Sequence, residues 1–389
     1  MLDVSSISLI DNHCHPFLPE REPKIDFSKF FTISTVPEVK TIDIENTIIY
    51  RRMIKELKRI LNIENEIKLI EKRMKEYHTT PREYISKLFT DANIDTLIID
   101  LGYPAKEYHG YSISAKEFSN LVPCKVKTNY RIEPLIYDLF MKNIPFEDFI
   151  NEYTYSVERA VTKEKYVSVK TVMSYRFGIN TQKRNEKEVN KIYEKMRETN
   201  ELLIPFAKKT NSMVEKEKVI REYLLFKTLE LCNKFDIPFQ IHTGMGSAPN
   251  IDVRSANPLH LINIITDPEL NKVKIVLVHS GYPYVEEAGY LANQYPNVYI
   301  DISEMNPFIS IGVKNKILSL LEMAPTTKIM YGSDGFYTPE VYWIAAIIAR
   351  EALSQALDQL IKRKFIDEDY GYKSAKFILH DNAKKLYNV

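Results

Sequence analysis

The fold is decided by two stretches, IPFQIHTGMG at residues 237–246 and VKIVLVHSG at residues 273–281. Each is a short apolar run that ends on a histidine and passes within two residues into glycine. A run of that length, closed by glycine, reads as a buried strand rather than a helix. The two histidines, His242 and His279, stand 37 residues apart, which fits one strand–helix unit, and Pro258–Ile265 between them reads as helical. The same rhythm recurs outward in both directions. Ile7–Ile10 precedes Asp11-Asn12-His13, and Thr96–Leu101, Cys124–Leu135 and Tyr166–Val172 follow. Beyond residue 281 come Val298–Ser303 and Lys328–Asp334. Charged amphipathic stretches such as Val219–Phe235 lie between the runs. Eight apolar runs alternating with helices predict a parallel sheet closed as a TIM-type (β/α)8 barrel.

Two stretches depart from an even barrel. Residues of about 43–90 predict an inserted helical segment after strand one, placed to cover the barrel mouth. Residues of about 339–389 predict the last barrel helix followed by extra C-terminal helices. No Pro/Gly/Ser-rich linker separates either, so residues 1–389 are expected to form a single (β/α)8 barrel domain. Lys+Arg number 53 against 52 Asp+Glu, which excludes the basic excess of a nucleic-acid binder. Three cysteines, Cys14, Cys124 and Cys232, are too few and too odd for a disulfide framework and suit a reducing compartment. The N-terminal stretch has no basic region followed by an apolar one, and no run approaches membrane-spanning length. The expectation is a cytoplasmic protein without membrane contact, with a homo-oligomer allowed for on general grounds.

Chemistry concentrates where the strands end. In a barrel of this type the active site is built on the C-terminal ends of the strands. Strand one ends in His13-Cys14-His15, and residues i and i+2 of a strand share a face, so both imidazoles can reach one cation. Cys14 faces the other way and reads as a packing residue. Lys170 ends strand four inside an apolar run. It is open to three readings: a carbamylated metal bridge, an ammonium for a substrate carboxylate, or a lysine snorkelling to solvent. His242 and His279 end strands five and six, and Asp334 ends strand eight in GSDG. Asp301 on strand seven is either a partner orienting a histidine or an ordinary polar strand end. Taken singly, each histidine reads as a satisfied core residue and Asp334 as a helix cap. Their recurrence at five strand ends points instead to a divalent metal that activates water, with Asp334 and His279 moving protons.

The set resembles a known family. H-x-H on strand one, Lys on strand four, His on strands five and six, and Asp on strand eight is similar to the amidohydrolase superfamily pattern. DNHCHP, VKTVMSYRFGI, IHTGMG, LVHSGYPYVEEAGYLANQYPNVYIDIS, MYGSDGFYTPEVYWIA and DNAKKLYN resemble its amidohydrolase-related (amidohydrolase 2) branch. Some relatives in that branch carry the barrel fused to glutamine-synthetase-like domains. The resemblance implies His13, His15 and Asp334 as ligands of a first metal. It implies His242, with His279, as ligands of the same or a second one, and Lys170 as a bridge if carbamylated. One or two divalent ions per chain are implied, zinc first, with manganese and iron as alternatives. Tyr175 and Arg176, just past Lys170, are the expected substrate contacts, the arginine for a carboxylate. Arg131 and Tyr103 are weaker candidates, and His78, His109, His260 and His380 read as structural or exposed. The implied reaction is hydrolysis of a C–N bond in a small molecule, an amide, with γ-glutamyl amides among the candidates. Non-oxidative decarboxylation, lactone hydrolysis and a non-enzymatic metal-binding barrel are the alternatives.

Overall fold

The computed structural model describes residues 1–19, 26–104 and 111–389; His109 lies outside the described residues. Eight parallel strands form one sheet in sequence order: β1 (Leu9–Cys14), β2 (Ile94–Asp100), β3 (Lys125–Arg131), β4 (Ser168–Thr171), β5 (Phe239–His242), β6 (Ile275–Val278), β7 (Val298–Asp301) and β8 (Ile329–Met330). The ring is closed by backbone bonds between the segment after β8 and β1. Asn12 N donates to Tyr331 O at 3.1 Å, Asp334 N to His13 O at 2.9 Å, and His15 N to Gly335 O at 2.8 Å. Closure therefore runs through the residues expected to carry the chemistry. It also explains why β8 is only two residues long, since Tyr331–Gly335 spends its polar groups on the closing turn rather than on a regular ladder.

Among the described residues the connection from β1 to β2 holds four α-helices: α1 (Thr41–Glu45), α2 (Ile48–Leu61), α3 (Glu66–Thr79) and α4 (Pro81–Asp91). Helix α2 buries Met53, Ile54, Leu57 and Leu61, and Thr47 caps it by accepting from Tyr50 N. Proline opens α4, where the missing N–H costs nothing. After β2 come α5 (Ala115–Leu121), α6 (Ile132–Lys142), α7 (Phe146–Thr162), α8 (Glu186–Glu198) and α9 (Asn211–Phe235). Helix α9 is longer than its apolar pattern suggested. It starts at the Thr210 cap and stops at Asp236, which takes a left-handed conformation ahead of β5. The expected helix at residues 258–265 is instead a 3-10 turn followed by a single helical turn. Helices α10 (Val285–Gln294) and α11 (Val313–Met323) flank β7, and α12 (Pro339–Lys362), α13 (Glu368–Lys376) and α14 (Asn382–Tyr387) complete the chain. Among the described residues no helix is long and apolar enough to cross a membrane.

The extra C-terminal helices are partly a plug. Leu386 and Tyr387 of α14 join Ile10, Ile98, Val276, Val278 and Met330 in one buried apolar cluster. Strands β2 and β6 lie on opposite sides of the ring, so side chains meeting from both fill its lumen. Polar groups share this space and bond one another, with Asn129 Oδ1 left without a partner. Gln240 Nε2 donates to Tyr387 Oη at 2.8 Å and to Asn12 O at 3.0 Å, while Asn129 Nδ2 donates to Gln240 Oε1 at 2.5 Å. A buried amide left unpaired costs on the order of 1–3 kcal/mol, so the network holds α14 in one register under the site.

Candidate metal centre at the strand ends

His13 and His15 leave the end of β1 on one face, their ring centroids 5.1 Å apart. Both meet the turn after β8: His13 Nε2 lies 3.0 Å and His15 Nε2 3.3 Å from Asp334 Oδ1. Neither approach has the alignment of a hydrogen bond. Asp334 Oδ1 and His13 Nδ1 are buried with no hydrogen-bond partner. Donor atoms around one zinc, at roughly 2.0–2.1 Å each, would sit about 3.3 Å apart in a tetrahedron. Asp334 Oδ1 lies near that spacing from both imidazole nitrogens without bonding either, which suits a divalent cation, and His279 brings a further nitrogen within 4.8 Å of donor atoms of His13 and Asp334. The turn that aims Asp334 is held by Asp11, whose Oδ1 accepts from Ser333 N at 3.0 Å and whose Oδ2 accepts from Ser333 Oγ at 2.5 Å.

Lys170 enters from β4. Its Nζ lies 2.6 Å from His13 Nε2 and 3.4 Å from Asp100 Oδ2, and the side chain is buried. Asp100 ends β2 and is forked by Arg131 from the end of β3, Nε at 2.8 Å and Nη2 at 2.5 Å. The β3–β4 register sets Arg131 beside Lys170, so one carboxylate serves both cations. Arg131, expected only as a weak substrate contact, is spent on this pair.

His242 and His279 stand side by side, His242 Nδ1 3.1 Å from His279 Nε2. Their approach depends on Gly244, which has φ of +69° and whose missing Cβ would strike the backbone of Gly281 and Tyr282. Each ring is oriented from behind. His242 Nε2 donates to Met245 O at 2.7 Å, and His279 Nδ1 pairs with Ser303 Oγ at 3.0 Å. The orienting partner of His279 is thus Ser303, two residues beyond Asp301. Asp301 bonds Ser303 N through Oδ1 and keeps Oδ2 unpartnered.

Tyr175 packs edge-on against His242 with centroids 4.7 Å apart, and its hydroxyl accepts from Ser247 N at 3.2 Å. Arg176 lies over the Phe206 ring, 4.6 Å from its centroid, and lines a cleft of about 380 Å³ with Lys218, Asn250 and Asp252. Tyr103 meets the His15 ring edge-on at 5.3 Å and donates its hydroxyl to Tyr337. His78, His260 and His380 stand apart from this cluster; His380 pairs with Asp381 at 2.7 Å. Sequence reasoning passed over Asp100, Ser303 and Glu304. Of these, Glu304 is buried and sits 3.7 Å from His279 Nε2.

Protonation follows from burial and neighbours. Burial, reinforced by Lys170, lowers both His13 and His242 to about 3, so both imidazoles are neutral at physiological pH. Burial opposes the charge on Asp334, yet the imidazoles of His279, His13 and His15 hold it well below the usual carboxylate range. Burial lowers Lys170, the Asp100 carboxylate only partly offsetting it. Burial raises Asp301 to about 7 and Asp11 to about 8. A raised folded-state pKa gives stability that is full below the unfolded value near 3.8 and lost as pH rises through 7. Asn at position 301 does not titrate. Metal-free Asp301→Asn should therefore gain on the metal-free wild type by a few kcal/mol between pH 4 and pH 7.5. Urea midpoints across that range measure the gain, and parallel curves for the two proteins would refute the burial account of Asp301.

Comparison with known proteins places this geometry. Residues 209–389, somewhat under half of the chain, match the amidohydrolase family model and carry His242, His279 and Asp334. The matched region is of the amidohydrolase type. Over 250 residues it is 31% identical to protein FluG of Emericella nidulans, a match that covers 63% of this chain and 28% of that protein. The chain thus spans little more than a quarter of that relative's length. A protein of Lactobacillus casei assigned to the metal-dependent hydrolases superposes with a TM-score of 0.83 at 24% identity, over 100% of this chain and 98% of the other. Uronate isomerase of Thermotoga maritima gives 0.69 at 13% identity, over 99% and 95%. These two likenesses establish the shared fold.

Proposed function

We propose that this amidohydrolase-type barrel hydrolyses a C–N bond of a small carboxylated amide with the help of a divalent cation. The observation that carries the reading is the convergence of His13 Nε2, His15 Nε2 and Asp334 Oδ1 from β1 and the turn after β8, at 3.0 and 3.3 Å and unbonded to one another. A cation held by these three would bring the pKa of water toward neutrality and polarise the carbonyl to be attacked. The chain's own groups do the rest. Asp334, held ionised, takes the proton of the attacking water and passes it to the leaving nitrogen. Tyr175, packed on His242, keeps bulk water from one side of the site and offers a hydroxyl at its edge. Arg176, on the adjoining cleft, is the residue for a substrate carboxylate, which suits a γ-glutamyl or similar amino-acid amide.

Lys170 serves this reading in either form. Its lowered basicity favours the neutral amine, which is the form that adds carbon dioxide to give a carbamate with release of a proton. A carbamate there would present an anionic oxygen beside His13, and an ammonium would meet a substrate oxygen instead.

The test is a panel assay on protein reconstituted separately with Zn²⁺, Mn²⁺ and Fe²⁺. γ-Glutamyl amides, N-acyl amino acids, lactones and aromatic carboxylic acids are offered, and amine, hydroxy acid and carbon dioxide are measured. Amine release with first-site metal bound is the expected result; carbon dioxide or hydroxy acid without amine would overturn the C–N assignment. In the same preparations His13→Ala should bind about one equivalent less zinc per chain than wild type, as elemental analysis after dialysis will show. An unchanged zinc content would remove His13 from the ligand set.

A further inference from the structure

Glu304 has no part in the reaction described above, yet its placement is costly. It follows β7 at the barrel mouth and is 3% exposed. Its backbone has φ of 54° and ψ of −52°, a conformation that a non-glycine residue adopts at a cost of roughly 1–3 kcal/mol. Its Oε2 has no hydrogen-bond partner. A buried carboxylate oxygen without a partner is among the more expensive groups a fold can carry, and it persists where something else satisfies it. The group it faces is His279, whose Nε2 lies 3.7 Å away. His279 Nε2 in turn lies 3.1 Å from His242 Nδ1.

The tautomer of His242 follows from its partner. Met245 O can only accept, so the proton is on His242 Nε2, and Nδ1 presents a lone pair toward His279 and Glu304. One atom each from His242, His279 and Glu304 lie within 4.8 Å of one another, and all three residues are buried. Two nitrogens and one carboxylate oxygen at that spacing form a donor set for a divalent cation, with rings already fixed by Met245 O and Ser303 Oγ.

We infer that Glu304 is a ligand of a second divalent cation, held with the His242 and His279 pair that the family resemblance already assigns to metal, beside the cation at His13, His15 and Asp334. The inference deepens the proposed function and rests on it only for the first cation. It gives the second site a carboxylate of its own, so two-metal loading does not require Lys170 to be carbamylated. Ser303 and the backbone of Glu304 then act as a unit, since one orients His279 and the other aims the carboxylate past it.

The experiment titrates Co²⁺ into the 389-residue chain after chelation, with binding followed by visible absorption and by elemental analysis. Wild type should take up two equivalents per chain. Glu304→Gln, which keeps size and loses charge, should keep one equivalent and weaken the other by at least about 100-fold, more than the loss of an outer-shell partner would cause. Glu304→Asp should recover part of that loss. Circular dichroism melting checks that each variant is folded; if Glu304→Gln does not fold, Glu304→Asp and wild-type stoichiometry decide. One equivalent in wild type at saturating Co²⁺, or two equivalents of unchanged affinity in Glu304→Gln, would overturn the second site. His13→Ala separates the two readings. If it leaves both equivalents in place the first-site assignment fails, while a loss confined to Glu304→Gln still supports the second.

Discussion

Asp334→Asn is expected to lower kcat on the best amide of the panel by on the order of 10³–10⁴-fold and to leave the melting curve of the metal-free protein almost unchanged. The large loss comes from removing the negative charge that both binds the cation and receives the proton. The small structural effect follows from how the residue is held. Its backbone has φ of 51°, which Asn accepts about as readily as Asp. The turn is fixed by other groups: Asp334 N bonds His13 O at 2.9 Å, Ser333 is held by Asp11, and Gly335 N donates to Ser333 Oγ at 2.8 Å. None of these needs the Asp334 carboxylate. The first-site cation should weaken at the same time, because an amide oxygen is a poorer ligand than a carboxylate. Steady-state kinetics, metal content and melting on one preparation measure all three. Unfolding in step with the loss of activity would make Asp334 a structural residue, and full activity would remove it from the mechanism.

The residues gathered at the mouth differ in how visible they were in the sequence, and the reason is physical. His13, His15, Lys170, His242, His279 and Asp334 sit at the ends of apolar runs, so the alternation of strands and helices alone places them on one rim. Strand ends were harder to locate. The run at Cys124–Leu135 reads as one strand, yet α6 starts at Ile132, with Pro134 in its first turn, where proline is tolerated. The run at Ile7–Ile10 extends in the structure through His13 to Cys14, because β2 offers it a partner to that point. Glu304 was invisible for a different reason. DISEMNP has no periodicity that separates a solvated turn glutamate from one turned inward. Its direction is set by a backbone conformation in the left-handed half of φ/ψ space, which residue type does not announce. Asp100 and Arg131 were obscured in the same way, since only the β2–β3–β4 register shows that they and Lys170 meet. Local pattern therefore revealed the rim, and tertiary contact determined which groups on it act together.

Arg73→Met should destabilise the protein by about 3–5 kcal/mol, since it strands a buried carboxylate. Arg73 on α3 and Glu340 in the first turn of α12 are both fully buried. Arg73 Nε donates to Glu340 Oε1 at 2.5 Å and Nη2 to Oε2 at 3.0 Å, so the pair is bidentate. Tyr84 of α4 donates its hydroxyl to Glu340 Oε1 at 2.6 Å, and the guanidinium stacks 4.4 Å from Tyr77 and 4.9 Å from Phe27. One ion pair thus draws the helical excursion between β1 and β2 onto the helix that begins just after the Asp334 turn. Burial would raise Glu340, yet Arg73 and its hydrogen-bonding neighbours hold it below the usual value, so its contribution is present near neutrality and is lost as pH falls through the folded value. Replacing both partners tests whether charge or shape is at work. Arg73→Met combined with Glu340→Met should be more stable than Arg73→Met alone, because no charge is left unpaired in the interior. Urea unfolding of the two single variants and the double variant at pH 7 gives the coupling energy. A loss below about 1 kcal/mol for Arg73→Met would put the pair among weak surface-like contacts and leave the excursion held by the apolar faces of α2 and α4 alone.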